Sequence, residues 1–249
     1  MHESVLRAVP SEIVWCTTSR RQHCLPAAAI KVGTDYVHRS TCVRDLGIYI
    51  DSDVSMRTQV MRTVAGGFCV LRRLRTIRRS VPDPVFQSLV VSLVLNRLDF
   101  GNATLAGLPA HQYRRLQSVL NAAARLIYRR RRFDHVTPLL RDLHWLKAPE
   151  RVAYKLAVTV YRCLHGTAPP YLCDGLQRVA ELNRRRLRSS ASNALVVPAT
   201  RLVTVGDRAF PVAGCRLWNS LPTDVTSATT LPVFCSRLKT YLFSVSFPA

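Results

Sequence analysis

Asp51 and Asp53 are the closest acidic pair that follows a strand-like run. Paired carboxylates in that setting could hold the cations of a two-metal nucleotidyl transfer. Turn and helix-capping duty accounts for both residues more simply, because short polar side chains accept bonds from unpaired backbone N–H groups. Cys163 and His165 could suggest a nucleophile and its base, yet two residues apart on a helix they point to different sides. With Cys173 they come closest to a zinc set, but their spacing is not a standard ligand spacing. No phosphate-binding glycine loop, nucleophile elbow or H-E-x-x-H motif occurs, and the seven histidines are scattered. No catalytic residue and no metal ligand is therefore assigned.

Binding is where the residues speak. Thirty-six basic against 15 acidic residues give a formal net charge of +21, and most of the cations are arginine. They gather as Arg72, Arg73, Arg75, Arg78 and Arg79, as Arg129, Arg130, Arg131 and Arg132, and as Arg184, Arg185, Arg186 and Arg188. Arg114 and Arg125 add to a polar stripe between the first two groups. Planar guanidinium groups suit phosphate, and such contacts give salt-sensitive affinity with little sequence preference. RNA or an RNA–DNA duplex is the leading partner. An acidic membrane surface is the weaker reading, and codon bias in a GC-rich gene is the bland one. Tyr128 and Phe133 flank the four-arginine run, where they could stack on bases or anchor a helix end. Trp15, Trp145 and Trp218 read as core anchors.

These residues need elements to position them. Residues 1–51 read as short strands and turns, with strands at 12–17, 29–32, 35–38 and 43–50 and a tight turn at Gly33 and Thr34. From residue 53 the period becomes helical, with Val60, Val64, Phe68 and Leu71 on one face and Arg62 and Arg73 opposite. Pro82, Asp83 and Pro84 end that helix and start another, with Asp83 as N-cap. The run VFQSLVVSLVLNRL is apolar nearly all round, which predicts a helix buried in a bundle. Tyr113, Leu116, Leu120, Ala123 and Ile127 form the core stripe of a third helix, and Arg114, Asn121, Arg125, Arg129 and Arg132 line another face. Thr137 and Pro138 open a short helix, Pro149 starts one that stops at Gly166, and residues 183–193 read as a basic linker. Segments 194–197 and 202–205 could pair as a hairpin, and 208–219 and 231–243 look helical, the latter after Thr230. The expected class is α+β: a small antiparallel β remnant, then a mostly helical, thumb-like bundle and a basic helical C-terminal region.

Eight cysteines lie far apart with no C-x-x-C pair, which fits reduced thiols. No secretory leader and no apolar run of about 18 residues is present, so an intracellular location, nuclear or cytoplasmic and without membrane attachment, is expected.

Six segments then follow one another in a distinctive order: VRDLGIYIDSDVSM, LRRLRTIRRSVP, LNRLDFGNATLAGLP, LQSVLNAAARLIY, DHVTPLLRDLHWL and GDRAFPVAGCRLWNSLP. Together they resemble the C-terminal part of reverse transcriptases of LINE-type non-LTR retrotransposons, in the jockey and chicken-repeat group. The resemblance covers roughly residues 12–243. It implies that residues 1–51 correspond to the palm end and primer grip, 52–98 to thumb helices, 99–182 to a helical extension and 183–249 to a basic linker and C-terminal helical segment. It also implies a role in holding an RNA template and DNA primer, and association with the rest of a transcriptase. The family's catalytic aspartates, which carry its divalent magnesium, belong to a palm motif upstream of anything in this chain. The fragment by itself is expected to lack polymerase activity and to need no cofactor. The stretch reading AVPSEIVW lacks the lysine that usually precedes the palm tryptophan, so a truncated or rearranged N-terminus is expected. A non-catalytic interaction protein, or a decayed element product, is the alternative.

Overall fold

A computed structural model describes residues 12–17, 19–26, 28–32, 35–181, 193–202 and 205–248. Its class is α+β, and the chain divides into two compact units, Met1–Arg62 and Thr63–Ala249.

In the first unit β1 (Ile13–Val14) pairs in parallel with β4 (Arg39–Ser40), and β2 (Ile30–Val32) pairs antiparallel with β3 (Asp35–Val37). The expected turn at Gly33 and Thr34 lies outside the described residues, but the strands on either side face each other as a hairpin requires. The predicted single strand over 43–50 is instead two, β5 (Cys42–Asp45) and β6 (Ile48–Asp51), in register from Cys42 opposite Asp51 to Asp45 opposite Ile48. Leu46 and Gly47 adopt φ of 45° and 84°, the paired positive values of a two-residue hairpin turn, and so fold the apolar run back on itself. Trp15, expected in the core, is 39% exposed.

α1 (Arg57–Ile77) begins where the sequence placed its caps, and the division between the units falls within it. The Thr58 backbone N–H and the Ser55 hydroxyl both donate to the Asp51 carboxylate, at 3.1 and 3.2 Å, and Asp53 accepts the Ser55 N–H. Both carboxylates thus serve the helix start.

In the second unit α2 (Asp83–Val90) runs through a π turn (Val91–Leu95) into α3 (Asn96–Asp99). Phe86, Val90, Val94, Leu95 and Leu98 are buried, but Val85, Val91 and Leu93 are exposed. The all-round apolar pattern therefore overstated burial: among the described residues, one face of this run is left exposed. The N-cap is Pro82, not Asp83, whose carboxylate turns to arginines instead. α4 (Ala110–Ile127) buries Leu116, Leu120, Ala123 and Ile127, as its period predicts. α5 (Thr137–Asp142) and α6 (Ala148–Leu164) follow, then α7 (Pro170–Cys173), α8 (Phe210–Ser220), α9 (Thr223–Thr226) and α10 (Leu231–Ser246).

The core of this unit lies among α6, α8 and α10, where Tyr161 stacks on Phe234 at 4.4 Å and Trp218 stands 5.8 Å from the same ring. Arg151 of α6 forks onto Asp99 at the end of α3, which ties the two helical layers together. Of the expected hairpin, the first half is described: Leu195 bridges Arg178, and the Asn219 side-chain amide pairs with both backbone groups of Leu195 at 2.8 Å. Residues 203 and 204, in its other half, lie outside the described residues.

Candidate nucleic-acid interface

The two arginine-rich helix ends meet within the second unit. α1 and α4 both finish there, and an open concavity of about 1140 Å³ lies between their last turns and the loop after α4. Nine of its fourteen lining residues are arginine: Arg72, Arg75, Arg78, Arg79, Arg125, Arg129, Arg130, Arg131 and Arg132. The remainder are apolar apart from Thr76, and no acidic residue lines it. Phe68, Leu71, Ala122 and Leu126 form its apolar floor.

Three features of the chain set this geometry. Gly67, in the middle of α1, has no side chain to hold α4 away: a Cβ there would stand 2.8 Å from Cγ1 of Val119. Arg78, just past α1, is only 5% exposed. Its Nε donates to the Leu126 carbonyl at 3.2 Å, its Nη2 to the Ile127 carbonyl at 2.6 Å, and Nη2 also meets Asp83 at 2.8 Å. The guanidinium sits over the Phe86 ring, 4.4 Å from its centre. One cation thus caps the last two carbonyls of α4 and joins the end of α1 to the start of α2.

The third feature is how α4 stops. Arg129 has a φ of 54°, the left-handed conformation usually given to glycine. Its N–H donates to Leu126, and the Arg130 N–H reaches back to Arg125, which closes the helix end and turns the chain across the mouth of the concavity. Arg125 donates twice to the Asp134 carbonyl, at 3.1 and 3.0 Å, and the Asp134 carboxylate accepts the Arg131 N–H. The 129–134 loop is therefore braced from within.

The candidate arginines now separate by duty. Arg78 is a structural cap, because its guanidinium is buried and already bonded. The Arg78 guanidinium, with help from Arg129, holds the Asp83 carboxyl below its usual range. Arg125 is shared between the loop carbonyl and the groove, and Arg129 makes a long contact of 3.5 Å with Asp83. Arg72, Arg75, Arg79, Arg130, Arg131 and Arg132 are exposed and have no hydrogen-bond or ion-pair partner for their side chains among the described residues. Arg73 is exposed outside the groove lining, on the other side of α1. Arg114 is exposed too, three turns before Arg125 on the same face of α4, about 16 Å along the axis. Arg184, Arg185 and Arg186 lie outside the described residues.

The two aromatics beside the four-arginine run also part company. Tyr128 is half buried with its hydroxyl bonded to Asp142, and burial with that carboxylate pushes the phenol up to about 12. Phe133 is 90% exposed, with the Arg132 guanidinium 5.9 Å from its ring centre.

Cys163 and His165 do not form a catalytic pair. Burial, together with nearby Cys173, pushes the Cys163 thiol up to about 11, so it stays protonated near neutrality. His165 stacks on Tyr161 at 3.8 Å, with its Nδ1 on that residue's carbonyl. No group of three or more metal-binding side chains occurs among the described residues, and no helix among them is long and apolar enough to cross a membrane. In comparisons with known proteins, no family model, no curated protein and no solved structure matches this chain.

Proposed function

We propose that this chain binds RNA, or an RNA–DNA duplex, by its phosphate backbone in the arginine-lined concavity between the ends of α1 and α4. One observation carries the reading: six guanidinium groups, those of Arg72, Arg75, Arg79, Arg130, Arg131 and Arg132, surround one concavity that no carboxylate lines. Cations at helix ends serve the helix dipole in many proteins, but among the described residues Arg78 bonds the α4 carbonyls, while the other six make no side-chain bond to a helix carbonyl. The others are left to an outside anion. An open groove with an apolar floor fits an extended polyanion better than a small ligand, which would be largely enclosed.

The order of the six sequence segments supports the further reading that the chain is a thumb-and-extension piece of a non-LTR retrotransposon reverse transcriptase. In that reading the catalytic carboxylates and their magnesium belong to another part of the enzyme, and this chain positions the template–primer duplex. The second reading, a non-catalytic interaction protein, draws on the exposed Val85, Val91, Leu93 and Phe100 along the α2–α3 run.

Salt dependence of binding tests the proposal. With labelled RNA–DNA hybrid, six phosphate contacts would give a slope of log affinity against log salt of about −5, a loss of roughly a thousandfold between about 50 and 200 mM. A folded sample that binds no hybrid, or binds it with a flat salt response, overturns the reading.

A further inference from the structure

Phe133 is the one large apolar side chain in the loop that crosses the mouth of the groove, and it stands almost wholly in water. A flexible loop would let such a ring fold back, but this one is pinned. Arg125 holds the Asp134 carbonyl, Asp134 holds the Arg131 N–H, and the Asp134 N–H returns to the Arg131 carbonyl at 3.2 Å. The ring is thus presented outward from a braced turn, with Arg132 at its side and the unpartnered Arg130 and Arg131 just before it. A flat aromatic face beside free guanidinium groups matches one nucleotide: the base stacks while its phosphate meets the cations. A base inside a duplex is already stacked on its neighbours and cannot take the ring's face. An unpaired base, free to turn out of the stack, can.

The geometry points to a second subsite at Phe133 that takes an unpaired base, so that the chain prefers a duplex carrying a single-stranded extension over a blunt one. This inference rests on the phosphate-backbone reading of the groove. It adds a preference for a junction, with the paired strands along the arginines and the first unpaired base on Phe133. Tyr128 cannot play that part, because its hydroxyl is held by Asp142.

The test uses the whole chain with two labelled RNA–DNA hybrids, one blunt and one extended by a few unpaired nucleotides. Wild-type protein should bind the extended hybrid about tenfold more tightly, the usual worth of one base–aromatic stack. Phe133→Leu, which keeps an apolar side chain but no ring face, should abolish that difference, and Phe133→Trp should retain it. Binding of the blunt hybrid should be the same for all three proteins. At 90% exposure the ring carries little of the fold, so the variants will fold alike. Equal affinity of the wild type for both hybrids overturns the inference alone, as does a preference that survives Phe133→Leu or an equal loss on both hybrids. Failure of the folded wild type to bind either hybrid overturns the phosphate-backbone reading, and this inference with it.

Discussion

Arg78 and Arg79 are neighbours in sequence with opposite duties, and replacing each in turn should separate fold from function. Replacing Arg78 with Met keeps the aliphatic stem and removes the guanidinium. Two bonds to the carbonyls of Leu126 and Ile127 are lost at a buried site, each worth about 1.5 kcal/mol when the donor is charged. The contact over Phe86 adds about 1 kcal/mol. Against this, the variant no longer buries a cation whose Nη1 has no partner, which offsets about 1 kcal/mol. The net cost is about 3 kcal/mol, or roughly 9 °C in melting temperature for a unit of this size. Arg79→Ala should leave the melting temperature unchanged, because that side chain is exposed and unpartnered. It should weaken hybrid binding at all sequences and flatten the salt slope by about 0.9, the share of one phosphate. Thermal melts followed by circular dichroism, beside anisotropy titrations at several salt concentrations, read both effects. A melting temperature for Arg78→Met within about 2 °C of wild type would refute the assignment of Arg78 as the cap that fixes the groove. An unchanged slope for Arg79→Ala would remove that arginine from the interface.

Other perturbations follow from the same contacts. Gly67→Ala should destabilise by about 1–2 kcal/mol, since its Cβ meets the buried Val119. Gly66→Ala should be neutral or stabilising by up to about 1 kcal/mol, because only the mobile end of Arg97 must move aside; urea unfolding of both variants compares them. Arg129→Gly should raise stability by about 0.5–1 kcal/mol in the same assay by relieving the left-handed φ, while lowering hybrid affinity through the lost charge. The Asp83 carboxyl titrates below its unfolded value because of Arg78. Its contribution is therefore complete above about pH 4 and is lost as the pH falls through the depressed value. Melting temperatures measured down to about pH 2 should fall less steeply for Asp83→Asn than for wild type, and identical curves would refute the pairing.

Much of the frame was legible in the residues themselves. Local signals did best: Asp51 and Asp53 at the start of α1, Pro149 and Gly166 at the two ends of α6, and the core stripe of α4. Each depends on chain neighbours within a turn or two, so composition and period suffice to find it. The grouping of cations at helix ends was legible for the same reason. That two such ends face each other was not, because it depends on contacts such as Gly67 against Val119, some fifty residues apart.

The same helix ending shows where the sequence stops being informative. α4, α5 and α6 all close with a left-handed residue, at Arg129, His144 and Gly166 respectively. Glycine announces that conformation, since it adopts it at little cost, whereas arginine and histidine are held there by the bonds around them. The hairpin turn at Leu46 was hidden in the same way, in a run whose composition suits one longer strand. By itself, then, the sequence determined the class, the helical segments, the charge and the cations able to meet a phosphate. Only tertiary structure decided which of them are exposed: whether a guanidinium faces solvent or a buried carbonyl depends on packing between elements distant in the chain, and that buried Arg78 and left Arg79 in solvent.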